Sequence, residues 1–256
     1  VASDPINESF ISSEAGVNFE SEKFAVKVSA YNTDWKDRNL TKAVTTGQGD
    51  SGDTDVIFLK GIGQKHQGLE IEGSMKLNDM IRLDGAVSFG KWKFDGDADG
   101  LYTEYAEDAP KQTSYTYTLD GLYVGDQPQT AYVLGTTLTP MDGLRLQGIF
   151  KMYDKNYADW SPDSRELSGD ADRSQVWQAP AYNRLDLHAA YKLPKIAGYD
   201  MTLTGHLFNA LDAVYVQDAV DNSQYNGFGD KLHLAHNAEV FLGTPRYFNL
   251  GLSVNF

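Results

Sequence analysis

Two-residue alternation runs through the chain and limits it to β structure. Helical periodicity is almost absent, while segments of ten or more residues place apolar side chains at every second position. Nine strands are predicted, at about 12–20, 24–35, 64–77, 80–92, 130–139, 144–156, 182–193, 200–209 and 246–256. On each, one alternate set is apolar and free of charge, as in Leu69, Ile71, Gly73, Met75 and Leu77, or Phe248, Leu250, Leu252, Val254 and Phe256. The opposite sets carry the charges, among them Glu70, Glu72, Arg82, Asp84, Arg145, Lys151, Arg184 and Asp186. The fifth strand is apolar on both sides (Tyr132, Leu134 and Leu138 against Ala131 and Val133), so its pattern sets no orientation.

The connections alternate in length. Those around 21–23, 78–79, 140–143 and 194–199 are tight, and those at roughly 36–63, 93–129, 157–181 and 210–245 are long. This describes an antiparallel up-and-down meander with two unequal ends, the asymmetry of outer-membrane barrels. Counted over 36–55, 93–128, 154–181 and 212–246, these long segments hold 23 of the 36 acids and 10 of the 22 bases, which is −13 of the net charge of −14. The acidity belongs to one end.

That balance excludes a nucleic-acid partner, which needs a basic surface to release counterions. With no cysteine, disulfide scaffolds, Cys zinc sites and Cys nucleophiles are excluded as well. Fifteen Tyr, 12 Phe and 4 Trp argue against disorder. No apolar run reaches the ~18 residues of a transmembrane helix, but a barrel strand needs only ~10. There is no G-x-S-x-G, Gly-rich phosphate loop or H-E-x-x-H, so the chain is not read as an enzyme.

A soluble sandwich alternates too. Three features favour a barrel whose apolar side meets lipid. The strands exceed the ~5–6 residues usual in soluble sheets, the loop lengths alternate strictly, and Gly73, Gly85, Gly148 and Gly205 interrupt the apolar sets. The competing reading is a secreted acidic β protein that binds calcium or glycans. Single-chain bacterial barrels have even strand numbers, and open edges are not viable in lipid. Nine strands are therefore expected to be part of a larger barrel. The start Val1-Ala2-Ser3-Asp4, without initiator Met or signal core, likewise reads as a processed or excised piece.

Four stretches carry a family resemblance. Pro5 to Phe19 resembles the "NP-x-L-x-PE-x-S-x-x-YE-x-G" approach to a late barrel strand of TonB-dependent outer-membrane receptors. Ala30-Tyr31-Asn32-Thr33-Asp34-Trp35-Lys36-Asp37-Arg38 is similar to the strand that follows. Gly205 to Tyr215 resembles the penultimate "N-L-F-D-x-x-Y", and Gly243 to Phe256 the closing "G-x-x-R" strand. Within the last, Asn249, Gly251, Val254 and Phe256 resemble the outer-membrane insertion signal.

The resemblance, closest to receptors of Bacteroidota, implies the last nine of ~22 strands, with residues 1–256 as C-terminal barrel. It implies the outer membrane of a Gram-negative bacterium and import of a large scarce solute: siderophore, haem, cobalamin, glycan or peptide. The implied partners are the plug and remaining strands, lipid and lipopolysaccharide, TonB, and a surface lipoprotein lid.

Candidate sites lie in the long connections. Asp95-Gly96-Asp97-Ala98-Asp99-Gly100 reads as the first half of a calcium loop, although its twelfth position is Ala106 and Glu107 falls one late. Asp50, Asp53 and Asp55 form a weaker acidic group. Tyr102, Tyr105, Tyr115, Tyr117, Tyr123, Trp160 and Trp177 are candidates for stacking on a sugar or an aromatic chelate, against the plainer role of loop packing. His233-Leu234-Ala235-His236 offers two imidazoles without a third ligand, and His188 and His206 are read as polar wall.

Overall fold

The computed structural model describes residues 7–45, 54–104, 110–162, 165, 172–195, 198–223 and 232–255. Asp50, Asp53, Tyr105, Ala106, Glu107 and Phe256 lie outside these, as does the side chain of Asp55. No described helix is long and apolar enough to cross a membrane.

Nine strands form one antiparallel path, in the order of the chain. They are β1 (Ser9–Glu20), β2 (Phe24–Thr45), β3 (Thr54–Lys76), β4 (Ile81–Phe94), β7 (Thr130–Met141), β8 (Leu144–Asp154), β11 (Tyr182–Lys192), β12 (Asp200–Phe208) and β15 (Tyr247–Asn255). Each pairs with its neighbour by sequence, which confirms the up-and-down all-β reading.

The register aligns the apolar sets. Val17 lies opposite Val28, Val28 opposite Ile71, Ile71 opposite Val87 and Val87 opposite Tyr132. The row continues through Met152, and a neighbouring one runs from Leu134 to Phe150 to Leu185. This pairing orients the fifth strand: Tyr132, Leu134 and Leu138 share the apolar face, and Ala131 and Val133 the polar one. The apolar face has no cover within the described chain, and Val17 and Leu250 are 72% and 73% exposed.

Two predicted boundaries are corrected. Residues 36–45 and 54–63 were expected in a connection but continue β2 and β3. Register shifts between Trp35, Arg38 and Leu40, with Asp37 at φ 59° and Gly61 at φ 69°, change which parity faces which side. A bulge moves every later side chain to the other face, so simple alternation stops there although the strand does not.

Beyond the bulge the sheet forks. The upper part of β3 leaves β4 and pairs with β5 (Ala98–Glu104), which pairs with β6 (Lys111–Tyr117). The other long connections hold the two-residue strands β9 (Asn156–Tyr157) and β10 (Gln178–Ala179), and the hairpin of β13 (Val216–Val220) with β14 (Glu239–Leu242). The buried hydrophobic core lies at this end, around Leu59, Phe94, Tyr117, Leu119, Leu122 and Trp160.

Candidate functional site

The long connections fold together into a cap. On the upper sheet, Leu40, Lys42, Ile57, Leu59, Gly100, Tyr102, Tyr115 and Tyr117 share one face by register. Trp160 closes on that face, edge-on to Phe94 at 6.4 Å and tilted to Tyr117 at 6.1 Å between ring centroids. Lys42 reaches over it: its ammonium lies 4.7 Å from the Trp160 ring centroid and donates to Asp159 Oδ2 at 2.6 Å.

The aromatic candidates divide accordingly. Tyr117 and Trp160 are buried at 2% and 1% exposure, and their faces are spent on packing. Tyr102 and Tyr115 meet edge to face at 6.3 Å and remain half-buried. Trp177 is half-buried, and its carbonyl accepts from the Ala158 amide. Tyr123 stacks on Tyr157 at 4.2 Å, with the Lys93 ammonium over its ring at 4.4 Å. Burial and the neighbouring Tyr123 push the Tyr157 phenol up to about 12.

The three acids of the D-x-D-x-D-G stretch have separate surroundings. Asp95 closes the turn out of β4, its amide donating to Gly63 O at 2.9 Å. Asp97 accepts from the amides of Leu119 and Asp120, each at 3.1 Å, and from Arg173 Nη1 and Nη2 at 3.1 and 2.7 Å. Arg173 donation outweighs partial burial and holds the Asp97 carboxyl below the usual range. Asp99 sits within β5 and accepts from Thr116 Oγ1 at 3.1 Å. Among the described residues no three His, Asp or Glu are grouped to hold a metal ion.

His233 and His236 are also separated by their surroundings. His236 is exposed in a 3-10 turn, Ala235–Asn237. His233 is buried, with Nδ1 against Asp221 Oδ2 at 2.5 Å and Nε2 against Asp172 Oδ2 at 2.6 Å. The fully buried Arg165 completes this cluster, donating to Ser174 O at 2.7 Å and lying 3.6 Å from Asp221. Burial draws the imidazole pKa down, but the Asp221 and Asp172 carboxylates outweigh it and raise it above 6.5.

Sequence reading missed Arg165, Asp172 and Asp221. They come from two different connections, up to 68 residues from their partners, and share no local motif. A charged residue within an otherwise polar loop is a weak signal; only the fold reveals that it is buried.

The Gly205–Tyr215 and Gly243–Asn255 stretches clasp one another. Asn209, at φ 48°, donates through Nδ2 to Ala213 O at 2.9 Å and Thr244 O at 3.2 Å, and accepts from the Ala213 amide at 3.0 Å. Asp212 accepts from the Arg246 amide at 3.1 Å. Asn249, Gly251 and Val254 lie on β15 at one edge of the sheet, opposite His206, Thr204 and Met201.

The family described as "TonB dependent receptor-like, beta-barrel" matches residues 8–210, most of the chain. The chain belongs to this family. Among solved structures, the chain is similar to BauA, the ferric preacinetobactin receptor from Acinetobacter baumannii, at 13% identity and a TM-score of 0.37. That alignment covers 97% of this chain and 43% of the other, so the chain spans under half the length of that protein. No curated protein matches the chain.

Proposed function

We propose that the chain supplies wall strands and extracellular loops to an outer-membrane receptor that imports a large, scarce solute with energy delivered by TonB. The observation that carries this is the continuous apolar face of nine paired strands, uncovered among the described residues and ended by two exposed edge strands, β1 and β15. Water disfavours such a face, whereas lipid satisfies it, and the remaining strands would satisfy the two edges. Lipid and lipopolysaccharide meet this outer face, the plug meets the charged inner one, and the acidic cap faces the exterior of a Gram-negative cell.

The test is made in the full-length receptor. Arginine at Leu134, on the apolar face, is expected to cost about 2–4 kcal/mol of barrel stability near the bilayer midplane, while Thr137→Arg on the polar face costs little. Folding into vesicles, read by heat-modifiable gel mobility, separates the two. Equal tolerance of both, or a soluble monodisperse protein without detergent, overturns the assignment. Solute uptake abolished by loss of TonB tests the transport role.

A further inference from the structure

We propose that His188 and His206 form a two-imidazole site for a divalent transition-metal ion on the polar face of the sheet. The two residues are directly opposite each other on β11 and β12, with Nδ1 atoms 2.8 Å apart. The site rests on this register, independent of whether the receptor imports anything.

Zinc–imidazole bonds of about 2.0–2.1 Å at the tetrahedral angle place two nitrogens about 3.3 Å apart, and at a right angle about 2.9 Å. The observed separation reaches that range by an opening of a few tenths of an ångström. A short contact between ring nitrogens needs one Nδ1 to carry a proton and the other a lone pair, an arrangement that two neutral rings in opposite tautomers supply. On metal binding the shared proton relocates to Nε2 of its own ring. Both Nδ1 lone pairs then face the ion, with no net proton gained or lost.

The rings are held in place. Phe208 stacks on His206 at 6.0 Å and meets His188 edge-on at 5.5 Å. Gln147 lies opposite His188 and Asn249 opposite His206, so amide side chains flank the pair along one row. A hollow of about 370 Å³ borders the two imidazoles and leaves room for waters to complete the coordination. Arg145 borders it too, and its charge disfavours weakly held ions. Strong imidazole bonding favours copper and then zinc, whereas calcium and magnesium require oxygen donors.

The experiment titrates Cu²⁺ into the full-length receptor in detergent and reads electron paramagnetic resonance. The expected result is one ion per barrel with coupling to two imidazole nitrogens. His188→Gln or His206→Gln is expected to weaken that binding about 100-fold, at least as much as losing a supporting group does, and His66→Gln to leave it unchanged. A spectrum without two-nitrogen coupling, or unchanged affinity in the double variant, overturns the site. A measurement on the wild-type receptor needs no variant to fold. Zn²⁺ is expected to protect both rings from acylation mapped by mass spectrometry, and equal labelling with and without zinc refutes the proposal.

Discussion

The Tyr31 ring lies over Gly68, its direct partner across β2 and β3, and a methyl group at Gly68 would overlap it. The phenol accepts from Trp92 Nε1 at 2.8 Å, and Trp92 in turn stacks on His66 at 5.5 Å. An aromatic ring covering a strand glycine restores the packing that the glycine lacks. Gly68→Ala is therefore expected to displace the ring and cost about 1–3 kcal/mol. In a double-mutant cycle with Tyr31→Ala, the second substitution should recover most of that loss; additive effects would show that the stacking does not couple.

The bidentate Arg173–Asp97 pair ties the connection after β8 to the turn after β4. Removing Arg173 is expected to speed proteolysis of the 155–181 connection. Asp97→Ala acts more widely, because the Leu119 and Asp120 amides also lose their acceptor. The folded Asp97 pKa lies below its ordinary 3.8. Its contribution is thus present above pH 3.8 and lost as pH falls through the lower folded value. Hydrogen exchange of the two amides measures this; protection unchanged at low pH would rule it out.

His233 links the connections after β8 and β12 through Asp172 and Asp221. Its raised pKa makes its stabilisation complete below pH 6.5 and lost as pH rises through the higher folded value. His233→Asn keeps a residue suited to φ 49° but leaves Arg165 alone against two buried carboxylates. The expected cost is about 3 kcal/mol, the low end for breaking a buried ion pair. Cap proteolysis should rise in this variant at pH 6 and differ less from wild type at pH 8. An equal difference at both would remove the charge argument.

The wall was legible in the sequence and the cap was not, for one physical reason. A two-sided wall repeats its environment at every second residue, so Leu69, Ile71 and Val87 announce their face locally. In the cap, a side chain's environment depends on segments far along the chain. Tyr117 and Trp160 read as stacking surfaces or, more plainly, as loop packing, and only the arrival of Leu59, Phe94 and Leu122 shows that they are core. The Asp97 carboxyl had the right spacing for a cation; its nearest positive charge is Arg173, 76 residues away. The bulge at Asp37 hid the upper halves of β2 and β3 because it reversed the parity on which the reading depended.

Asp126 stands beside Asp159 and Asp218 in this cap, and partial burial together with those carboxylates pushes its pKa up to about 7. Such a group favours the folded cap while protonated. Its contribution is complete below pH 3.8 and lost as pH rises through about 7. Asn mimics the neutral acid and tolerates the left-handed backbone, φ 69°. Asp126→Asn is therefore expected to stabilise the cap above neutral pH by on the order of 1 kcal/mol, since solvent screening reduces the full effect. Below pH 4 the variant and wild type should coincide. Thermal unfolding of the cap across pH 4–8, followed by hydrogen exchange at Ala158 and Asp159, provides the comparison; parallel curves throughout would show that the three carboxylates do not repel one another.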